Sequence, residues 1–171
     1  EHIRIQDGAV SAVTVRRDGQ TYDLPAHHVV LALGHSARDT FEMLHRVGLY
    51  MEPKPFAMGV RIEHRQSAID AAQYRSLAGH PALPPSTYKL SCHLPNGRSA
   101  FSFCVCPGGQ VVAAASEPGR TVTNGMSVYA RDGENINGAL LVNVTPADFP
   151  SDHPLAGIAL QRQLETAAYA L

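Results

Sequence analysis

Two cysteines that stand one residue apart carry the most reactive side chains of the sequence. Cys104 and Cys106 lie in a segment patterned as a strand, where side chains two residues apart share one face. A structural metal site needs about four ligands with characteristic spacing. The remaining ligand types, at Cys92, His93 and His35, are scattered without that spacing. We therefore expect no metal site.

A redox or nucleophilic role is an alternative for Cys106. The residues that follow it, Pro107-Gly108-Gly109, form a turn that would expose the thiol and orient N–H groups that lower its pKa. Free cysteines are more often small buried apolar side chains, and that interpretation stands beside the first.

A second segment with chemical potential is Gly34-His35-Ser36, which follows the apolar run 29–33. A continuous apolar run of this length is typical of a strand buried on both faces. Because Gly34 has no Cβ, it would let the backbone approach a ligand closely at the end of this strand. The alternative is that Gly34 only makes a strand-to-helix turn.

Helix signals follow directly. Ser36 can cap a helix that begins at Ala37, and Asp39 three residues later completes a capping-box pattern. The start of such a helix offers unsatisfied N–H groups and a positive potential.

Two glycine-rich segments further on could line a ligand site. Gly108 and Gly109 offer backbone N–H donors, and Asn124-Gly125-Met126-Ser127 offers adaptable polar groups. Both segments are also what hairpin turns require, since Gly and Asn supply positive φ.

Arg61 and Glu63, two apart on one strand, could hold a charged ligand or pair with neighbouring strands. Pairing with neighbouring strands is the commoner arrangement.

The elements that must position these residues follow from local patterns. Alternating segments separated by Asp7-Gly8 and Asp18-Gly19 predict a three-stranded meander over residues 2–6, 9–17 and 20–25. Beyond residue 50 we predict a strand from Phe56, a short helix over 66–77, and a terminal helix over 154–171. Further strands are predicted near 87–93, 98–105, 110–116, 122–129 and 139–144. Pro107-Gly108-Gly109 is predicted to join the strands near 98–105 and 110–116 as a hairpin. The fold class is α+β, with a mostly antiparallel, β-rich second lobe and flanking helices.

Composition narrows the class of protein. The 171 residues are 44% hydrophobic, which suffices for one sizeable core or two small lobes, and the net charge is −1 without a basic patch. We expect no nucleic-acid partner, no membrane partner and a cytoplasmic location with reduced thiols. The sequence starts at Glu1 inside a strand pattern and contains no G-x-G-x-x-G after a strand, so we expect an internal piece of a longer protein.

Four segments, read together and in this order, resemble one bacterial family, that of FAD-dependent proteins or NAD(FAD)-utilising dehydrogenases. They are VVLALGHSARDT at 29–40, KPFAMGVRIEH at 54–64, FCVCPGG at 103–109 and SEPGRTVTNGMS at 116–127. The resemblance implies a Rossmann-like FAD domain interrupted by a second domain. Residues 1–50 would be a segment of the FAD domain, containing the meander and a strand–helix remnant, and residues 51–171 an inserted, substrate-side domain.

The resemblance also implies site residues and partners. Gly34, His35 and Ser36 would be flavin neighbours, and the substrate side would be lined by Cys106, Gly108, Gly109, Asn124, Gly125, Met126 and Ser127. The function implied is that of an FAD-dependent dehydrogenase with NAD(P)H as a possible reductant and a small-molecule substrate, completed by the remainder of its own polypeptide. We expect the chain alone to be inactive, to have little or no affinity for FAD and to self-associate through the apolar surface at 29–33. A non-catalytic binding domain is the alternative function.

Overall fold

The computed structural model describes residues 1–171, and they separate into two compact units. The first unit comprises Glu1–Pro53 and Pro150–Ala159, and the second comprises Lys54–Phe149 and Leu160–Leu171. That the first 50 residues belong to an FAD domain and the rest to an inserted domain stays a prediction.

The first unit is built on a three-stranded antiparallel meander in the order β1-β2-β3. The strands are β1 His2–Gln6, β2 Ala9–Arg17 and β3 Gln20–Pro25. These bounds confirm the predicted meander. Its strands reverse direction at Asp7-Gly8 and Asp18-Gly19, which both take the positive φ angles of tight hairpin turns.

The strand predicted at 29–33 is wrong. These residues pair with no strand, and Val30 is 91% exposed. Apolar character alone does not make a strand, since the backbone also needs a neighbour with which to form a ladder. No strand forms a ladder with this segment.

The helix that follows is confirmed, but its predicted cap is wrong. The helix α1 is Arg38–Arg46, its N-cap residue is Ala37, and no side chain caps it. The carbonyl of Ser36 accepts the N–H of Arg38, while the Asp39 carboxylate accepts the N–H of Thr40. Ser36 therefore lies one residue too early to cap the helix with its hydroxyl.

The second unit contains a four-stranded and a two-stranded antiparallel sheet, in the orders β4-β9-β6-β5 and β7-β8. The strands are β4 Phe56–Arg65, β5 Ser91–His93, β6 Ser99–Cys106, β7 Gly109–Ala113, β8 Thr123–Ser127 and β9 Asn135–Val144. The helix α2 is Gln66–Tyr74, followed by a 3₁₀ turn at Arg75–Leu77, and a second 3₁₀ turn is at Pro146–Asp148. The helix α3 is Ala156–Tyr169; its residues up to Ala159 are assigned to the first unit and those from Leu160 to the second.

Two strand predictions in this unit are corrected. Pro107-Gly108-Gly109 does not join a hairpin, because β6 pairs with β9 while β7 pairs with β8. In addition, β9 begins at Asn135 rather than at Ala139, and its first residues hold the fully buried Ile136 and Asn137. The strand predicted near 139–144 therefore starts four residues earlier, and the added residues include the two most buried large side chains of the chain.

The architecture is α+β, and every strand pairing is antiparallel, as predicted. A strand–helix remnant of a Rossmann-like fold is not confirmed. None of the three α-helices combines the length and apolar character needed to cross a bilayer.

Candidate functional site

Gly34, His35 and Ser36 lie on the surface of the first unit. All three are exposed, and Gly34 has a φ of 70° with no atom within 4 Å of the position a Cβ would take. An open concavity of about 490 Å³ runs along α1 in this unit, lined in part by Leu31, Leu33 and Asp39, but it does not include the three predicted residues.

These residues fit an uncharged part of a flavin cofactor better than its pyrophosphate. The Asp39 carboxylate stands in the first turn of α1 and already accepts the N–H of Thr40 at 2.8 Å. A carboxylate at this position complements the helix dipole and would repel a phosphate. The open surface at Gly34 can therefore border a cofactor, but it offers no phosphate cradle.

In the second unit, two of the predicted segments meet at one concavity. Gly109 pairs with Ser127 across the β7–β8 ladder, which brings the Gly108-Gly109 segment beside Met126-Ser127. An open concavity of about 470 Å³ forms there. Its lining residues are Gly108, Gly109, Gln110, Met126, Ser127, Val128, Gly133, Glu134 and Asn135.

Part of the concavity is made of backbones in close approach. A Cβ at Gly108 would lie 2.0 Å from the carbonyl oxygen of Arg131, and one at Gly133 would lie 2.4 Å from the carbonyl oxygen of Gly108. No side chain fits at either position. The Ser127 hydroxyl donates to the carbonyl of Pro107 at 2.8 Å, which fixes the edge of the same segment.

A buried amide holds the Gly108 segment in place. Gln66, at the start of α2, accepts the N–H of Gly108 on Oε1 at 2.9 Å and donates from Nε2 to Asp70 at 2.8 Å and to the carbonyl of Ser86 at 3.0 Å. Burial raises the pKa of Asp70, but hydrogen bonds from Ser86 and Gln66 outweigh it and leave that pKa below its ordinary value. The ionised carboxylate thus orients the amide that fixes the concavity.

A second buried polar contact lies beneath β8. Arg61 donates from Nη1 to Asn137 Oδ1 at 2.6 Å and to the carbonyl of Cys104 at 3.2 Å. A Cβ on Gly125 would lie 2.1 Å from that Arg61 nitrogen and 2.2 Å from the Asn137 oxygen. A side chain at position 125 would therefore force Arg61 and Asn137 to shift, and Gly125 does not line the concavity.

Glu63 also pairs with neighbouring strands. Its carboxylate accepts from the side chain of Asn135 at 2.6 Å and from the N–H of Val111 at 3.2 Å. Arg61 and Glu63 were expected either to hold a charged ligand or to pair with neighbouring strands, and the structure shows the pairing.

Cys106 differs from the activated thiol that its turn suggested. Its Sγ lies 3.4 Å from the carbonyl oxygen of Cys104. Burial, followed by the neighbouring Cys104, raises the pKa of Cys106, and the nearby Arg61 only partly offsets this. The structure therefore disfavours a standing thiolate at Cys106.

The predicted substrate-side residues divide into two sets. Gly108, Gly109, Met126 and Ser127 converge on the concavity, whereas Cys106, Asn124 and Gly125 do not line it. Asn124 uses its side-chain oxygen to accept the N–H of Gly125 at 2.8 Å.

Sequence reasoning missed Gln66, Glu134 and Asn135. The alternation of polar and apolar residues at Asn135, Ile136 and Asn137 was a signal that could have extended the last strand and placed Asn135 on it. No local signal marks Gln66 as a residue of the concavity, because Gly108, which it holds there, lies 42 positions away in the sequence.

The chain is similar over its whole length to a protein of Clostridium beijerinckii that is described as uncharacterized. The two are 46% identical over 172 residues, and the aligned region covers 100% of this chain and 32% of the relative. The chain thus spans about a third of the length of that relative.

A family model described as "FAD-dependent protein, C-terminal domain-like" matches residues 55–171. The match begins one residue before β4 and contains the concavity, the Gln66 contacts and the Arg61–Asn137 pair. This chain belongs to the family of FAD-dependent proteins with that C-terminal domain.

Proposed function

We propose that this chain is part of an FAD-dependent oxidoreductase, a dehydrogenase to which it contributes flavin neighbours and a substrate-side surface. The flavin neighbours are Gly34, His35 and Ser36, and the substrate-side surface is the concavity at Gly108-Gly109 and Met126-Ser127. The observation that carries the proposal is this concavity, which lies within the residues matched by an FAD-dependent family.

In such an enzyme the cofactor and the protein would have separate roles, as in other cofactor-dependent enzymes. A bound flavin supplies the electron chemistry, and the protein supplies binding, orientation and exclusion of water. In this chain the backbone at Gly108 and Gly109 is held rigidly, with the Gly108 N–H already engaged by Gln66. Met126 and Val128 add apolar walls, so a small molecule would be oriented by shape and by a few polar groups.

Charge narrows the substrate class. Glu134 is the only ionisable side chain that lines the concavity, and it forms an ion pair with Arg65. No Lys or Arg side chain lines it. An uncharged substrate, or one that donates hydrogen bonds, fits this lining better than a carboxylate or phosphate.

The full-length protein tests the proposal. We expect it to purify with oxidised flavin, and we expect NADH or NADPH to bleach the flavin under anaerobic conditions. A colourless protein that takes up no FAD would contradict the oxidoreductase and favour the non-catalytic binding domain. A flavoprotein that neither nicotinamide reduces would exclude only NAD(P)H as the reductant.

Filling the concavity tests its role. In a screen for small molecules that reoxidise the reduced flavin, the Met126→Trp variant should raise the KM of any active compound by about tenfold or more, a loss of about 1.4 kcal/mol in binding. Its FAD content should not change. Leu77→Trp places the same bulk on an exposed residue of the same unit that does not line the concavity, and it should leave the KM unchanged. An unchanged KM in Met126→Trp would exclude the concavity as the substrate site.

A further inference from the structure

Cys104 and Cys106 are held together by an irregularity in β6. The pairing of β6 with β9 is regular up to Phe103 opposite Ala139 and resumes at Cys106 opposite Asn137. Three steps on β6 thus match two steps on β9, which is a β-bulge. At the bulge Cys104 takes a φ of 45°, a strained conformation for a residue that is not glycine.

The strain brings the two cysteines into contact. Cys106 Sγ lies 3.4 Å from the Cys104 carbonyl oxygen. In an ordinary strand, side chains two residues apart share a face without touching. At the bulge, the Cys106 thiol instead contacts the backbone of Cys104.

The surroundings differ for the two thiols. Cys104 is exposed and Cys106 is half-buried, and both are free cysteines. Arg61 donates from Nη1 to the Cys104 carbonyl at 3.2 Å, and its nearby positive charge partly offsets the raised pKa of Cys106. A cation in this position stabilises a thiolate during attack on a disulfide.

We propose that Cys104 and Cys106 form a redox dithiol that closes to an intramolecular disulfide, with a small-molecule disulfide as its oxidant. This function is separate from the flavin chemistry proposed above. Strained backbone at a pair of closely spaced cysteines in contact with each other, with an arginine bonded to the carbonyl of one of them, is an arrangement that a purely structural strand does not require.

The thiol–disulfide exchange proceeds in two steps. The exposed Cys104 sulfur attacks the oxidant RSSR, forms a mixed disulfide and releases RSH. Cys106 then gives up its proton, and its sulfur attacks Cys104 Sγ and expels the second RS group, which leaves as RSH. The two cysteine thiols are oxidised, the oxidant is reduced to two thiols, and the two protons end on those thiols.

Peptide mass analysis of the full-length protein tests this directly. The protein is incubated with oxidised glutathione, its free thiols are alkylated, and it is digested. We expect the peptide with Cys104 and Cys106 to lose two hydrogens and carry no alkyl group, and dithiothreitol to restore two alkylation sites. The Cys106→Ser variant should instead accumulate a glutathione mixed disulfide on Cys104.

The matched control is Cys92→Ser, which removes another exposed cysteine of the same unit and should leave the closure unchanged. The proposal is overturned if the wild-type peptide keeps two alkylated cysteines or shows only mixed disulfides. It is also overturned if closure depends on Cys92. Because this measurement does not involve FAD, its result tests the dithiol proposal independently of the oxidoreductase proposal.

Discussion

Single buried polar groups decide the shape of the concavity in the second unit. Gln66 is only 7% exposed, and both ends of its amide are used: Oε1 by the N–H of Gly108, and Nε2 by Asp70 and the Ser86 carbonyl. Asp70 in turn accepts from the backbone N–H of Ser86 at 2.8 Å. These contacts connect the start of α2 with the glycine segment.

Replacing Gln66 should therefore cost stability and disturb the concavity. Gln66→Ala leaves the Gly108 N–H and the Ser86 carbonyl without partners, and we expect the free energy of unfolding to fall by about 2–3 kcal/mol. Urea unfolding of the full-length protein measures this loss. Gln73→Ala, an exposed glutamine on the same helix, should change it by less than about 0.5 kcal/mol. Equal effects of the two variants would show that the buried amide is not what holds the Gly108 segment.

At the residue scale, the family resemblance pointed to Gly108 and Gly109 in the concavity but not to the residues that hold them. Gly108, Gly109, Met126 and Ser127 were predicted from that resemblance, since their composition alone is equally typical of hairpin turns. Gln66 was missed because it contacts Gly108 across 42 positions of sequence, and Asn137 contacts Arg61 across 76. Such distant pairings leave no local pattern.

At the scale of elements, ion pairs and hydrogen bonds of arginine side chains fix two loops of the second unit. The loop between β7 and β8 is tied to α3, because Arg162 donates to both carboxylate oxygens of Glu117, at 3.0 Å and 2.9 Å. Arg120 donates to the carbonyl of Arg162 at 3.1 Å. Paired donors on one carboxylate are among the stronger polar contacts at a protein surface.

The end of β9 is held in a similar way by Asp148. This carboxylate accepts from the Arg98 guanidinium and from the N–H of Thr145 at 2.9 Å. The Arg98 hydrogen bond, with a further one from the Thr145 backbone, keeps the pKa of Asp148 far below its ordinary value of 3.8. The Asp148 hydrogen bond correspondingly raises the pKa of Arg98.

The lowered pKa of Asp148 predicts a dependence of stability on pH. The unfolded chain takes up the Asp148 proton first as the pH falls, so the stability from this pair is full above about pH 5 and declines at lower pH. Asp148→Asn should therefore destabilise the protein at about pH 7, and the difference from wild type should shrink towards about pH 3.

Urea unfolding at the two pH values measures this change. Asp132→Asn, in an exposed loop of the same unit, is the control and should differ little from wild type at either pH. A deficit of Asp148→Asn that stays constant down to the lower pH would contradict the assignment.

Local turns were predictable and long-range pairings were not. Asp7-Gly8 and Asp18-Gly19 specify their hairpins because the two turn residues alone supply the backbone angles. Pro107-Gly108-Gly109 has similar composition, yet it separates two sheets. The reason is that β6 pairs with β9 on one side and with β5 on the other, which leaves no edge for β7 and which the residues of the turn do not encode.

At the scale of the whole molecule, the first unit presents an unusual apolar surface. Val30, Leu31 and Leu33 are 91%, 46% and 38% exposed, so the exposed patch expected at 29–33 is present although the strand is not. Self-association through this surface stays a prediction. The sequence marked the segment as one that should be buried, because its apolar run has no polar face.

Gly34 gives the sharpest test of the flavin assignment. Its φ of 70° favours glycine, but asparagine also adopts this conformation at modest cost. No atom of this chain lies within 4 Å of the position of an added Cβ, so Gly34→Asn should fold normally. Gly48 is a matched control in the same unit, with a φ of 85° and equally open space.

The measurement is the FAD content of the full-length protein and its Gly34→Asn and Gly48→Asn variants. If Gly34 borders the flavin, wild type and Gly48→Asn carry FAD, while Gly34→Asn binds it about tenfold more weakly or worse, a loss of about 1.4 kcal/mol. Full FAD binding by Gly34→Asn, or the absence of FAD from the wild-type protein, would contradict the account.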